Sequence, residues 1–229
     1  MMVTKHKHFH RELDKLKGRI LALSAMVEER IRMACRCIEL RDAHLADKII
    51  REDHLIDEEE VDIEEECLKI LALYQPVAVD LRFIIAVIKI NNDLERIGDE
   101  AKNIAQRVQI LAKREKLNIQ FDYKVMAEKV QIMLKMSLDS LVKLDVDLAL
   151  KVCVMDNEID ALKSDAYDRL KRIISEIPNR VGYLINMFLI SRHLERVGDH
   201  ATNIAEEVIY LIEGEIVRHG NFKSPEQSF

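Results

Sequence analysis

The residues of this chain with the clearest chemical potential are carboxylates spaced four positions apart. One pair, Glu95 and Asp99, lies in a twelve-residue segment, and a second copy of the segment one hundred positions later contains Glu195 and Asp199. Nine of the twelve positions are identical. Residues four apart on a helix share a face, with Cβ atoms roughly 5–6 Å apart. Each copy therefore predicts two neighbouring carboxylates, an arrangement that suits a bound cation.

Both copies also carry features that destabilise a helix. Like charges at this spacing are unfavourable by a few tenths of a kcal/mol, and an interior glycine costs up to about 1 kcal/mol relative to alanine. Gly98 and Gly198 lie between the paired acids. Because these features occur twice, we expect them to have a cause. We interpret the carboxylates as ligands of a cation and the glycine as room for that cation or for a neighbouring helix.

A further pair of acids precedes each copy at matching positions. Asp53 and Asp57 are followed 103 positions later by Asp156 and Asp160. Short turns should make the two helices of each half pack antiparallel, which would bring four carboxylates together. Proteins tolerate such charge when a multivalent cation lies between the acids. The predicted metal ligands are Asp53, Asp57, Glu95, Asp99, Asp156, Asp160, Glu195 and Asp199.

The type of ligand restricts the identity of the metal but does not determine it. Oxygen-only ligation suits Mg, Mn or Ca, and neither the Glu-x-x-His of di-iron bundles nor the His-Glu-x-x-His of zincins accompanies these acids. The alternative is a set of solvated acids paired with neighbours, such as Asp99 with Lys102 and Glu100 with Arg96.

Four more residues near these acids have open roles. Glu60 and Glu64 continue the acidic face of the Asp53–Asp57 helix and could extend a metal site, although a run of acids is typically a solvated face. His193 and His200 flank the second copy, where the first has Asp93 and Glu100; they serve either packing or ligation.

Apolar residues at spacings of three and four predict long helices around these acids. Asp42 and Asp145 are expected N-caps, and Pro76 and Pro178 are expected in first helical turns. The predicted helices span residues 3–40, 43–74, 77–113, about 122–144, 145–177 and 178–213.

Caps, prolines and acid pairs recur in the same order, which indicates an internal duplication. The sequence predicts an all-α fold of two tandem three-helix bundles, six long helices in total, related by internal pseudo-twofold symmetry. We place the first repeat at residues 1–116, the second at 117–219 and a polar tail at 220–229. A unit of about 100 residues is long enough for its own core.

Composition excludes several classes of protein. The net charge of −6 argues against a nucleic-acid binder. The first residues lack the apolar centre of a signal peptide, and the longest apolar runs, near 83–90 and 181–190, are shorter than the ~18 residues that span a bilayer. We therefore expect a soluble intracellular protein. Its four cysteines form no Cys-x-x-Cys motif and should be reduced and buried.

The sequence offers two functional hypotheses of different classes. One is a regulatory adaptor that binds metal; the other is a metal-dependent enzyme or a metal-storage protein that uses the same acids. An enzyme needs a nucleophile or base beside the metal, and neither half provides a Ser or Cys next to a His–acid pair or a glycine-rich phosphate loop. The pattern favours a protein that is not an enzyme.

Several stretches resemble the PhoU family of phosphate-uptake regulators over nearly the whole chain. They are residues 74–82 (YQPVAVDLR), 93–99 (DLERIGD), 193–210 and 214–219. The resemblance implies two three-helix bundles in a cytoplasmic, often dimeric protein. It also implies metal clusters of iron or zinc bound by the eight acids listed above, a choice of ion that differs from the oxygen-ligand argument. His200 in place of Glu100 implies that the two sites could differ.

The resemblance further implies a role between two partners. They are the ATPase subunit of the phosphate-specific ABC transporter and a phosphate-sensing histidine kinase. Such an adaptor limits uptake and represses phosphate-starvation genes when phosphate is plentiful, and it reaches the membrane only through its partners.

Overall fold

A computed structural model describes residues 2–117, 119 and 123–216 of the chain. These residues form α-helices joined by short turns, without a strand among them. The helices are α1 (Met2–Leu40), α2 (Ala43–Arg51), α3 (His54–Tyr74), α4 (Ala78–Ala112), α5 (Tyr123–Lys143), α6 (Val146–Glu176) and α7 (Val181–Glu213). The predicted polar tail, residues 220–229, lies outside the described residues. None of the described helices is both long and apolar enough to cross a membrane.

The all-α duplicated fold is confirmed. In the first repeat α4 packs against α1, α2 and α3, and in the second α7 packs against α5 and α6. Both predicted N-caps are present: Asp42 accepts the backbone N–H groups of His44 and Leu45 at 2.9 and 3.0 Å. Asp145 accepts that of Leu148 at 2.9 Å. These bonds satisfy N–H groups that the first turn leaves without helical partners.

The residues before the caps reverse the chain in the left-handed region. Arg41 and Leu144 have φ of 52° and 53°, and the N–H groups that follow them bond back to the carbonyls of Cys37 and Ser140. This is the usual helix C-terminal turn, although glycine normally occupies its left-handed position. The Arg41 side chain adds bonds to the carbonyls of Leu111 and Arg114 at the end of α4.

The helix predicted over residues 43–74 is wrong in one respect, since it is interrupted at Glu52 and Asp53. The buried Arg30 of α1 donates to the Glu52 carboxylate at 3.0 Å. It also donates at 3.4 Å to the Glu52 carbonyl, which accepts the backbone N–H of Leu55 at 3.2 Å. At the corresponding places of the second repeat stand Met133 and Met155, and α6 is continuous there. A buried arginine that needs acceptors therefore accompanies the break.

Pro178 lies in a first helical turn as predicted, whereas Pro76 does not. Pro76 precedes α4, which begins at Ala78 after the N-cap Val77. Its ring disfavours the right-handed helical region for Gln75, which is left-handed and ends α3. Pro178 opens a 3₁₀ turn, Pro178–Arg180, and the α-helix follows it. Proline thus marks the end of the preceding helix in the first repeat.

The two repeats join along α4 and α7, the most extensive helix contact in the described chain. The helices run antiparallel, since Lys89 near one end of α4 pairs with Glu207 near the far end of α7, and Arg107 bonds Asn186 at the opposite end. The length of each repeat would allow separate cores, but the buried apolar side chains form one continuous cluster. The four cysteines are buried and free, as expected.

The α4–α7 contact places the two histidines against acids of the other repeat. His200 Nδ1 lies 2.8 Å from Asp93 Oδ1, and His193 Nδ1 lies 2.6 Å from Glu100 Oε2. Asp93 and His193 are equivalent in the repeats, as are Glu100 and His200, so the two contacts are related by the pseudo-twofold axis. The histidines thus pair with acids of the other repeat and hold the halves together.

A swap of one pair tests this role. Asp93→His and His200→Asp separately place two like groups in a half-buried contact, and each should lower the free energy of unfolding by about 1–3 kcal/mol. The double variant recreates the pair in reverse and should restore most of the loss. Urea denaturation of the four proteins gives the coupling energy, and strictly additive losses would contradict the pairing.

The left-handed turn residue gives a second test. Leu144 is exposed and has no helical bond to lose, so Leu144→Gly should raise the free energy of unfolding by roughly 0.5–1 kcal/mol through relief of the positive φ. Val142→Gly, an equally exposed position inside α5, should instead destabilise by about 0.5–1 kcal/mol. Denaturant midpoints of both variants compare the two positions, and a loss at Leu144 would refute the argument.

Candidate metal centres

The first carboxylate cluster forms where α3 begins against the middle of α4. The helix break places Asp53 there with only 4% of its surface exposed. Burial, followed by the charges of Asp99, Asp57 and Glu60, raises the pKa of Glu95. Burial and the charge of Asp53 likewise raise the pKa of Asp57. The four predicted acids are therefore close enough to repel one another.

The second cluster forms in the same way between α6 and α7. Burial and the charge of Asp160 raise the pKa of Asp156. Burial, followed by the charges of Glu195, Asp156 and Asp160, raises the pKa of Asp199 to about 6. The structure thus brings together all eight predicted acids, four in each repeat.

The glycines allow the helices of each cluster to approach. A Cβ at Gly98 would lie 3.0 Å from Ile56 Cδ1 of α3. A Cβ at Gly198 would lie 3.6 Å from Ile159 Cγ2 and 3.8 Å from Asp156 Oδ1 of α6. Of the two uses predicted for the glycine, room for a neighbouring helix is the one observed in the first repeat.

Each cluster also contains one lysine. Lys102 Nζ of α4 lies 2.5 Å from Asp53 Oδ2 and 3.7 Å from Asp99 Oδ1. Lys163 Nζ of α6 hydrogen-bonds Glu195 and lies 3.4 Å from Asp160 Oδ1. The contact of Lys102 with Asp99 was foreseen from their spacing. Lys163 was missed, although its position three residues after Asp160 was a usable signal.

The sequence suggested that Glu100 pairs with Arg96, but in the structure Glu100 pairs with residues of the other repeat. Glu100 accepts from Arg196 Nη1 at 3.1 Å, in addition to its contact with His193. A surface arginine of the second repeat therefore neutralises an acid beside the first cluster, and Glu100 is held away from a ligating role.

Glu60 belongs to the first cluster, as the acidic stripe allowed. Burial and the charges of Glu64 and Asp57 raise its pKa. The buried amide of Asn91 donates to the Glu60 backbone carbonyl at 2.8 Å and to its carboxylate at 3.4 Å. The Asn91 side-chain oxygen is buried without a hydrogen-bond partner in the described chain. Sequence reasoning missed Asn91, which lies four residues before Glu95 on the same face of α4.

The donor chemistry fits a multivalent cation. All the acids offer oxygen, and the raised pKa values of Glu95 and Asp199 reflect burial first and then the negative charge of neighbouring acids. As the side chains stand, no three acids, histidines or cysteines among the described residues surround a common point. Metal ligation would therefore require the carboxylates to rotate, and those bound to lysine would have to exchange partners.

A groove of about 970 Å³ runs between the repeats beside both clusters. Glu60 and Glu64 line it on the side of the first repeat, and Asp156 and Asp199 line it on the side of the second. Lys89 contributes a positive charge, already paired with Glu207 at 2.9 Å. The groove is therefore acidic and connects the two candidate sites.

The raised pKa of Asp199 predicts how the stability of the metal-free protein depends on pH. The pKa of Asp199 is higher in the folded chain than its usual value of 3.8, so folding favours the protonated form. The resulting stability is present below about pH 4 and is lost as the pH rises through about 6. In chelator, Asp199→Asn should flatten this part of the stability–pH curve, while the exposed-surface control Asp168→Asn should not. Identical slopes for Asp199→Asn and the unsubstituted chain would contradict the assignment.

Comparison with known proteins identifies the family. The sequence model of the PhoU domain matches residues 20–108 and again 123–208. The chain is 38% identical over 214 residues to the phosphate-specific transport system accessory protein PhoU homolog of Pseudomonas aeruginosa, covering 93% of this chain and 88% of that protein. It is 39% identical to the homolog of Aquifex aeolicus, over 93% of this chain and 96% of that protein.

The fold agrees with the sequence comparison. The crystal structure of PhoU from Pseudomonas aeruginosa superimposes with a TM-score of 0.88 at 37% identity, covering 90% of this chain and all of that one. The two domain matches leave the exact boundary at residues 116 and 117 as a prediction. Duplicated acid pairs, duplicated helices and matches along almost the entire length lead to one conclusion: this chain belongs to the PhoU domain family.

Proposed function

We propose that this chain is an accessory protein of a phosphate-specific transport system and regulates phosphate uptake. The observation that carries the proposal is the similarity of more than nine-tenths of the chain to proteins named for that role. In the finer form of the proposal, the chain is an adaptor between the transporter ATPase subunit and a phosphate-sensing histidine kinase. It limits uptake and represses starvation genes when phosphate is abundant.

We further propose that both carboxylate clusters bind multivalent cations. Support comes from the convergence of eight oxygen donors and from the raised pKa values of Glu95, Asp156 and Asp199. A bound cation supplies positive charge that offsets repulsion between α3 and α4 and between α6 and α7. Iron and zinc follow from the family resemblance, and Mg, Mn or Ca from the ligand type. Metal analysis of protein purified without chelator discriminates among them.

An adaptor role also fits the surface of the molecule. The groove between the repeats is lined by acids from both, so it would attract a partner with a basic surface. We propose that the protein works in the cytoplasm as a homodimer and meets the membrane only through the transporter.

The chemistry of the groove favours an adaptor over an enzyme. Cys153 lines the groove, but burial raises the pKa of its thiol to about 12. A thiol with that pKa stays protonated at neutral pH and is a poor nucleophile. The lysine of each cluster already binds carboxylates.

Removal of two acids tests the metal proposal. Asp57→Asn combined with Glu95→Gln takes half of the ligands from the first cluster and leaves the second intact, so metal per chain should fall by about half. Elemental analysis of purified protein gives the ratio. The control is Glu58→Gln with Glu65→Gln, which removes two exposed acids from the same helix. Equal metal content in the acid-depleted variant and the control would refute the assignment of these acids as ligands.

Metal removal separates the adaptor from the enzyme. A cation that binds only the folded chain stabilises it by about 2.7 kcal/mol at a hundredfold excess over its Kd, so chelation should lower the melting temperature. Binding to the transporter ATPase subunit or the kinase, measured by calorimetry with and without metal, tests the adaptor role directly. Metal-dependent hydrolysis of phosphoesters that is lost in Glu95→Gln with Glu195→Gln, together with no binding to either partner, would refute it.

A further inference from the structure

The internal repeat allows the charges of the two clusters to be compared position by position. Each cluster contains an Asp–Asp pair, which is Asp53 with Asp99 in the first repeat and Asp156 with Asp199 in the second. Each also contains an Asp–Glu pair, which is Asp57 with Glu95 and Asp160 with Glu195. In every pair one acid lies on α3 or α6, with Asp53 at the residue before α3, and the other lies on α4 or α7.

The lysines cover different pairs in the two repeats. Lys102 contacts both members of the Asp–Asp pair in the first repeat. Lys163 contacts both members of the Asp–Glu pair in the second. The two lysines are not equivalent: Thr202 stands at the position of Lys102, and Glu60 stands at the position of Lys163. Each pair type thus holds a cationic group in one repeat and lacks it in the other.

We propose that each repeat binds its tightest multivalent cation at the uncovered pair, that is, at the two carboxylates that the lysine of that repeat does not contact. That pair is Asp57 with Glu95 in the first repeat and Asp156 with Asp199 in the second. This inference rests on the proposed metal binding and deepens it, because it assigns a position within each cluster. The lysines then act as built-in counter-ions that decide which acids remain available.

The uncovered pair of the first repeat has additional oxygen donors. Glu60 adds a carboxylate where the second repeat has an ammonium. Asn91, with 1% of its surface exposed, is anchored through its amide nitrogen to Glu60, and its side-chain oxygen lacks a partner among the described residues. Carboxylate and amide oxygens together are the ligands that hard cations use. The buried oxygen is an independent sign that this place suits a cation.

The uncovered pair of the second repeat has both charge and space. Asp199 and Asp156 face the groove between the repeats, from which an ion can enter. A Cβ at Gly198 would lie 3.8 Å from Asp156 Oδ1, at ordinary van der Waals distance. The lysine of this repeat lies at the other pair.

An ammonium and a metal ion compete for the same two carboxylates. Like charges a few ångströms apart repel strongly in a partly buried site. The lysine contacts are also charge-assisted hydrogen bonds, which are stronger than neutral ones and would have to break. A covered pair should therefore bind metal more weakly than an uncovered pair of the same acids.

Four reciprocal substitutions test the assignment without removing any of the eight acids. Lys102→Thr and Lys163→Glu uncover a pair by installing the residue of the other repeat. Glu60→Lys and Thr202→Lys cover a pair in the same way. Mn²⁺ alone is the probe: chelator-treated protein is titrated, and free Mn²⁺ is followed by electron paramagnetic resonance. Lys151→Glu, an exposed residue of α6, is the matched control for the change in net charge.

The expected results have opposite signs. Each uncovering variant should gain about one tight Mn²⁺ equivalent per chain, and each covering variant should lose about one, because metal and ammonium compete for the same oxygens. The control should match the unsubstituted chain. Circular dichroism verifies folding, and Lys102→Met and Lys163→Met, which keep an apolar stem, replace any uncovering variant that does not fold.

The outcomes also distinguish failure of the lysine assignment from failure of the proposed metal binding. If the unsubstituted chain binds Mn²⁺ and the folded lysine variants bind the same amount, the lysine assignment is wrong and the metal proposal stands. If an uncovering variant binds less, the lysine assists binding and the assignment is likewise overturned. If neither the unsubstituted chain nor any variant binds Mn²⁺, both ideas fail.

Discussion

The antiparallel contact between α4 and α7 is the constraint on which the other features of this molecule depend. These two helices carry both copies of the duplicated segment, and each forms the wall against which the remaining helices of its repeat pack. The contact also merges the apolar interiors of the repeats into one core. Because the helices run in opposite directions, a contact made on one side of the pseudo-twofold axis recurs between the equivalent residues on the other side. A substitution in one repeat therefore changes the surroundings of the other.

The histidine–acid pairs illustrate this dependence. A strictly repeated sequence would place either two acids or two histidines in each contact. Asp93 and Glu100 face His200 and His193 instead, so both contacts join unlike groups. Divergence of the two copies at these positions lets a hydrogen bond form between unlike groups in both contacts. When each repeat is considered alone, the replacement of Asp93 by His193 and that of Glu100 by His200 look unrelated.

A second constraint is the accumulation of carboxylates inside each repeat. Close helix packing, permitted in the first repeat by Gly98, gathers acids whose burial and mutual repulsion raise the pKa values of Glu95 and Asp199. Each repeat supplies one lysine against that repulsion, from α4 in the first and from α6 in the second. The repeats have also diverged around the break before α3, where Arg30 and Glu52 correspond to Met133 and Met155. Duplicated backbones thus carry charge arrangements that are no longer duplicates.

The sequence by itself determined the helical class, the duplication, both aspartate caps and the eight acids that converge. These follow from local rules, since helical periodicity, capping and i, i+4 spacing depend on residues within one or two turns. The tertiary structure decided where the long middle helix breaks, which acid of the neighbouring helix each lysine contacts, and that His193 and His200 pair with acids of the other repeat. Each of these depends on a partner far away in sequence: Arg30 for Glu52, Glu195 for Lys163, and Asp93 for His200. Side-chain partners separated by tens of residues are chosen by how helices pack, and the local pattern of a sequence does not contain that choice.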